Sequence, residues 1–302
     1  MTTIPGIHHV TAIAGDAQAN VSFFTGPLRQ RLVKKTVNFD APDTYHLYYG
    51  DPIGSPGTIL TFFPFAGAMP GKAGPGMASA YAYTVPKSAF DGWVDQAGAF
   101  GEGRSVTERF GARVLTLRDP DGAPVELIEA EDGAGEIGGF HSVTLWERDI
   151  APTARLLTDV FGYVETGHEV SGGFERLRLT APGDAMGRVV DVVRSDRVVQ
   201  GRSGAGSIHH VAFRARDDAE QRHWMEKLAS VGHRTTPQID RQYFNAIYFR
   251  EPGGVLFEIA TDAPGFAVDE PLATMGQALM LPAQHEHLRK ELVRVLPPLV
   301  AA

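Results

Sequence analysis

Apolar and polar positions alternate in short runs along most of the chain, and once in each stretch the period changes from two to that of a helix. HHVTAIA reads as a strand. Apolar positions at Ala19, Val21, Phe23 and Phe24 then predict a helix capped by Asp16 and ending near Gly26 and Pro27. LVKKTVNF, the stretch from Tyr45 to Gly50, and TILTFFPF follow as strands, separated by turn clusters at Asp40–Asp43 and Asp51–Gly57. A Gly/Pro-rich connector from Gly67 to Gly76 closes this first βαβββ unit.

The same order returns three times. ASAYAYTV begins the second unit, with a helix through Phe90, Trp93 and Val94 for which Ser88 and Asp91 suit a capping box, then SVTERF, RVLTLRD and APVELIEA. The third has FHSVTLWE, a helix from Asp149, FERLRLT and GRVVDVVR. The fourth has IHHVAFRA, a helix from Asp217, HRTTPQI, NAIYFRE and GVLFEIAT. Starts recur roughly every 60 to 70 residues, so the chain is an internal repeat. The expected class is α+β: four tandem βαβββ units forming two paired-unit sheets. The expected division is residues 1–136 for the N-terminal pair of units, 137–262 for the C-terminal pair, and 263–302 for a tail with a helix from Gln284 to Val295.

Composition narrows the chemistry. The net charge of -8, without a long basic run, argues against nucleic acid and anionic membrane surfaces as partners. Absence of cysteine excludes disulfides, thiolate metal sites and thiol nucleophiles. No run approaches the ~20 apolar residues of a membrane span. The start, MTTIPGIHHV, has neither a charged n-region nor an apolar h-region, so a cytoplasmic protein is expected.

Ile7-His8-His9-Val10 recurs as Ile208-His209-His210-Val211, which places one structural element at both ends of the repeat and predicts that the ends meet in space. Aligned by the glycine before each last strand, Thr61, Glu126, Asp191 and Glu258 are equivalent. In the first strands, His9 aligns with Ser79, Ser142 and His210, and His8 with Ala78, His141 and His209. Strand alternation lets only one histidine of each pair face a given cavity. His9, His210 and Glu258 then supply two imidazoles and a carboxylate with positions left open, the facial triad of a non-haem Fe(II) centre. A lone histidine on a strand is ordinarily a hydrogen-bonded structural residue; two at one repeat position with a carboxylate opposite are not. Glu126 and Asp191 are expected to be ordinary hydrogen-bonded strand residues, and the middle units metal-free.

GIHHVTAIA, LVKKTVNFDAPDTYHLYYGD, SIHHVAF, RQYFNAIYFREPGGVLFEIATD and LMLPAQHEHLRKEL resemble the vicinal oxygen chelate superfamily (glyoxalase, bleomycin resistance and extradiol dioxygenase proteins), and within it the hydroquinone ring-cleaving dioxygenases. The resemblance implies metal ligands His9, His210 and Glu258, and functional residues His8, Thr11, His209, Arg241 and Tyr248 around them. From spacing alone, Arg241 reads as a surface ion-pair residue and Tyr248 as a packed strand aromatic. The implied activity is Fe(II)-dependent opening of a hydroquinone- or catechol-type ring by O2, in aromatic degradation; the same ligand set accepts Mn(II). Partners are then a small aromatic diol and O2. The oligomeric state is left open, a homo-oligomer included. His8 or His209 suits proton transfer, Tyr248 a hydrogen bond to substrate oxygen, and Arg241 an anion. Phe213, Tyr243 and Phe244 are candidates for an aromatic wall, the tail helix for a cover, and His285 and His287 for solvated positions.

Two other functions compete. A glyoxalase-type isomerase or lyase wants a further protein ligand, for which the first unit offers only Thr61. A metal-free small-molecule binding protein has no need of His9, His210 and Glu258 together.

Overall fold

A computed structural model of the protein describes residues 2–100, 103–131 and 137–300. Unit one comprises β1 (Ile7–Ala14), α1 (Ala17–Thr25), β2 (Arg31–Asn38), β3 (Ala41–Gly50) and β4 (Ile59–Pro64). Unit two comprises β5 (Met77–Pro86), α2 (Lys87–Gln96), β6 (Ser105–Arg109), β7 (Ala112–Arg118) and β8 (Pro124–Ala130). Unit three has β9 (Phe140–Trp146), α3 (Ile150–Arg155), continued by a π-helical turn at Leu156–Val160, then β10 (Val164–Ser171), β11 (Phe174–Thr180) and β12 (Val189–Arg194). Unit four has β13 (Ile208–Ala215), α4 (Asp218–Ser230), β14 (Ile239–Asp240), β15 (Phe244–Arg250) and β16 (Leu256–Pro264). The βαβββ order holds in every unit, with β10 in unit three a strand that the sequence reading did not name. Among the described residues, no helix is long and apolar enough to cross a membrane.

Local chemistry sets the helix starts. Asp16, Asp149 and Asp217 are N-caps whose carboxylates accept from the N–H groups of Ala19, Ala151 and Glu220. The capping box expected at Ser88 and Asp91 is absent: α2 starts after Pro86 with no side-chain cap, and Asp91 instead pairs with Arg113 at 2.6 Å. Of HRTTPQI only Ile239 enters a strand, the two-residue β14, and Pro237 offers no N–H to a ladder.

The strands form two eight-stranded sheets, in the orders β14-β15-β16-β13-β1-β4-β3-β2 and β10-β11-β12-β9-β5-β8-β7-β6. Unit one therefore pairs with unit four, and unit two with unit three. These sheets cut across the sequence division into residues 1–136 and 137–262; residue 136 itself lies outside the described residues. The predicted meeting of the two ends is the antiparallel pairing of β1 with β13.

The sheets are joined next to β1 by a closed ring of backbone hydrogen bonds. The N–H of Gly57 donates to His8 O (2.8 Å), Phe140 N–H to Gly57 O (2.7 Å), Gly187 N–H to Phe140 O (2.6 Å), and Ile7 N–H to Gly187 O (2.9 Å). Gly57 and Gly187, the glycines that precede two of the last strands, sit at φ 90° and 68°, a region side chains disfavour. One continuous core, from Val10 and Phe24 through Leu127 and Leu145 to Phe213 and Phe257, fills the space under both sheets.

A second junction joins the end of β9 to the β15–β16 turn. Glu147 is 1% exposed and neither carboxylate oxygen has a hydrogen-bond partner. It lies against Glu251, which accepts from Thr153 Oγ1 at 2.6 Å and Val255 N–H at 2.9 Å. Burial, then the charge of Glu251, pushes Glu147 up to about 9 from an ordinary 4.5, so Glu147 is protonated at neutral pH. A carboxyl raised on folding contributes fully below its unfolded pKa, and that contribution is lost as pH rises through the folded value. The Tm of Glu147→Gln relative to wild type should therefore increase progressively from pH 6 to pH 9; a pH-independent difference would exclude the raised carboxyl.

Candidate metal centre

The register between β1 and β13 departs from regular pairing at two places. Ile7 pairs with Phe213 and His9 with Ala212, so His8 is one residue in excess on β1. Thr11 pairs with His210 and Ala12 with Ile208, so His209 is in excess on β13. Each histidine pair is thus a β-bulge, and a bulge re-aims side chains out of strict alternation. The expectation that His8 and His209 sit on the face opposite their neighbours is corrected. His8 Nδ1 lies 2.9 Å from His9 Nδ1, and His209 Nδ1 lies 2.8 Å from His210 Nδ1. Each outer imidazole thereby engages the Nδ1 of an inner one and turns that ring's Nε2 inward.

The two inward nitrogens, His9 Nε2 and His210 Nε2, are 3.3 Å apart. Glu258 Oε2, from β16, is 3.3 Å from the first and 2.9 Å from the second. All three residues are buried, and among the described residues they form the one cluster of three potential ligands. Neither Glu258 oxygen is met in hydrogen-bonding geometry, despite these separations. Burial opposes the charge of Glu258, but His9 and then His210 outweigh it and hold the carboxyl well below the usual range. Burial lowers His8, His46 and His210 and pushes His209 down to about 4, which leaves these imidazoles neutral at pH 7. A neutral His210 imidazole and an ionised Glu258 carboxylate are the states in which these two donors bind a cation. Donors on one face of an octahedron with bonds of about 2.1 Å lie about 3 Å apart, so the set fits a divalent transition metal.

The cluster floors a cavity of about 360 Å³. His209, Arg241 and Tyr248 also line it, whereas His8 and Thr11 do not. His8 lies behind His9, with Phe244 packed over both rings at 5.3 and 5.0 Å. Thr11 is buried beneath, accepting from Thr61 Oγ1 at 2.9 Å. Arg241 stands over the Tyr248 ring at 5.5 Å and pairs with Asp40 at 3.1 Å. Its direction depends on the turn at Gln242, a non-glycine residue at φ 66°. That turn is tied to the tail: Asp269 accepts from Gln242 Nε2 (2.6 Å), Tyr243 OH (3.0 Å) and the buried Lys34 Nζ (2.6 Å). Of the candidate aromatic wall, Phe244 lines the cavity, with Phe39, Phe63 and Phe65; Phe213 and Tyr243 are core residues. The tail helix proves to be a 3-10 turn (Ala283–Leu288) followed by α5 (Arg289–Val295). His285 is not solvated as expected: its Nε2 bonds Phe39 O at 2.9 Å, which props the cavity wall.

His46 escaped the sequence reading. It lines the cavity between Tyr48 OH, 2.8 Å from its Nδ1, and Thr61 Oγ1, 2.8 Å from its Nε2. The signal was local: on β3, alternation puts His46 and Tyr48 on one face. Thr61 is committed to His46 and Thr11, which argues against a further metal ligand from unit one.

In the other sheet, β5 and β9 carry the same two bulges, at Ser79 and His141. The register sets Ala82 beside Glu126 as it sets Thr11 beside Thr61. The equivalent of His9 is therefore Ala80 and not, as the glycine-based alignment predicts, Ser79, which corresponds to His8. Guanidinium groups take the charge here. Arg109 holds Glu126 through two bonds (2.7 and 2.8 Å), while Arg178 (2.8 and 2.9 Å) and Arg176 (3.1 Å) hold Asp191.

Residues 139–259 match the model of the Glyoxalase/Bleomycin resistance protein/Dioxygenase superfamily. MhqO of Bacillus subtilis (strain 168), a candidate ring-cleaving dioxygenase by name, is 46% identical over 97% of this chain and 96% of its own. A chlorohydroquinone/hydroquinone 1,2-dioxygenase of Sphingobium indicum is 32% identical, with 97% and 96% covered. The crystal structure of a candidate dioxygenase from Bacillus subtilis subsp. subtilis str. 168 superposes with a TM-score of 0.94 at 44% identity, over 100% of this chain and 99% of that one. Glyoxalase I from Zea mays (TM-score 0.63, 15% identity, 85% and 92% covered) shares the fold.

Metal titration tests the ligand set. His210→Ala should abolish stoichiometric binding of Fe(II) or Mn(II), and His8→Ala should weaken it about 10- to 100-fold by releasing the His9 ring. Ser142→Ala, in the other sheet, should bind as wild type does. Unchanged metal content in His210→Ala would refute the assignment.

Proposed function

The chain belongs to the glyoxalase/bleomycin resistance protein/dioxygenase superfamily, and on that premise we propose that it is an Fe(II)-dependent, extradiol-type dioxygenase that opens a hydroquinone- or catechol-type ring. One observation carries this reading: a face of two imidazoles and one carboxylate opens into a cavity of about 360 Å³ with aromatic walls. That volume suits a single substituted benzene ring. The chain's ring-cleaving relatives support the same class of substrate.

Fe(II), or Mn(II) in the same donor set, supplies Lewis acidity toward a phenol hydroxyl and electron transfer between the ring and O2. The protein's own groups do the rest. Phe39, Phe63 and Phe244 exclude water and orient the ring edge-on to the cluster. Tyr248 is kept protonated, its hydroxyl raised by burial and then by Glu258, so it donates a hydrogen bond to a substrate oxygen. His209 is the better placed of the two outer histidines to accept the phenol proton. It lines the cavity, and with Nδ1 engaged by His210 its Nε2 is left for substrate. His8, behind His9, serves to orient that ring. Overall, one ring carbon–carbon bond breaks and both atoms of O2 remain in the product. A cytoplasmic location fits this chemistry.

Anaerobic loading with Fe(II), followed by addition of O2 with methylhydroquinone or catechol, should give stoichiometric oxygen uptake and loss of the aromatic absorbance. Tyr248→Phe should lower kcat by about 10- to 100-fold while leaving metal content intact. No uptake with any dihydroxybenzene would end the dioxygenase reading.

A further inference from the structure

The cavity combines an apolar wall with one permanent cation, and that cation already has a partner. Apart from the histidines, the charged groups lining it are Arg241, Asp40 and Glu258. Glu258 belongs to the metal-ligand cluster. Arg241, its side chain 19% exposed, meets Asp40 at the mouth, with Nη2 3.1 Å from Oδ2. An unpaired arginine beside an aromatic slot is a ready clamp for a ring carboxylate, because its planar fork matches the carboxylate. Here a carboxylate of the protein occupies that role.

Asp40 is held where it acts. It lies two residues beyond the end of β2, and its N–H donates to Asn38 Oδ1 at 3.0 Å. The preceding carbonyl, Phe39 O, is pinned by His285 of the tail. Three segments distant in sequence (the β2–β3 turn, the Arg241 turn and the tail) thus fix the pair.

We propose that Asp40 determines the charge class of the substrate: by neutralising Arg241 at the mouth of the cavity, it makes the site select uncharged dihydroxybenzenes and reject ring carboxylates. The inference rests on the dioxygenase reading above. An incoming carboxylate must either displace Asp40 from Arg241 or sit beside a like charge, and either costs affinity. A neutral hydroquinone meets neither obstacle. Because the Asp40 side chain is 76% exposed, the effect is moderate and screened by salt.

The test compares kcat/KM for hydroquinone and 2,5-dihydroxybenzoate on the Fe(II)-loaded enzyme. Wild type should favour hydroquinone. Asp40→Asn should raise the relative kcat/KM of the carboxylate by about two- to fivefold. In wild type, raising ionic strength from about 0.02 to 0.5 M should shift the ratio the same way, without any substitution; in Asp40→Asn, where salt screens the attraction of the unpaired Arg241, the ratio should move the opposite way. Equilibrium dialysis of benzoate against phenol supplies a readout without turnover: Asp40→Asn should tighten benzoate selectively. A substrate ratio and a benzoate-to-phenol ratio that both ignore Asp40→Asn would overturn the proposal. Absence of turnover with selective tightening of benzoate would instead overturn the dioxygenase reading and leave the role of Asp40 standing.

Discussion

The antiparallel pairing of β1 with β13 is the contact on which the rest of the molecule depends. It closes a loop of about 200 residues, and such closure costs entropy that only a large buried interface offsets. The continuous core beneath both sheets supplies that interface, and the ring of backbone bonds through Gly57, Phe140, Gly187 and Ile7 locks the second sheet against the same strand. Because β1 and β13 run antiparallel with one excess residue each, their histidine pairs face one another across the pairing. Two imidazoles then meet at 3.3 Å without any loop having to carry them. Ligands on a sheet are positioned more rigidly than ligands on loops.

The sheet of units two and three is the internal control. It has the same strand order, the same two bulges and carboxylates at the same register, yet Ala80 and Ser142 stand where imidazoles would be needed. Its buried carboxylates are neutralised by Arg109, Arg176 and Arg178 instead. A buried carboxylate must find a cation, and the two halves of this chain meet that demand differently. Fold alone therefore does not make the site; side chains at a few register positions do.

Beyond the three inner donors, the cavity is assembled by neighbours of the paired strands. The tail braces β2 through Lys34 and Glu270, supports Phe39 through His285, and orients the Arg241 turn through Asp269. Outer parts of the chain thus decide which groups face the cavity while remaining remote from the His9, His210 and Glu258 cluster.

Much of this was legible in the residues. The fourfold βαβββ repeat follows from hydrophobic period and turn chemistry, and the Asp16, Asp149 and Asp217 caps are local facts. His9, His210 and Glu258 emerge from the repeat because equivalent positions in equivalent units are comparable without coordinates. What the sequence could not decide depends on counting residues across strand pairs. A bulge changes the count on one strand only relative to its partner, so the placement of His8 and His209 beside the inner pair, and of Ala80 rather than Ser79 opposite His9, appears only when the strands are paired. The same holds for His46 with Thr61 and for Asp40 with Arg241: those partners lie 15 and about 200 positions apart, and only tertiary packing sets their distance.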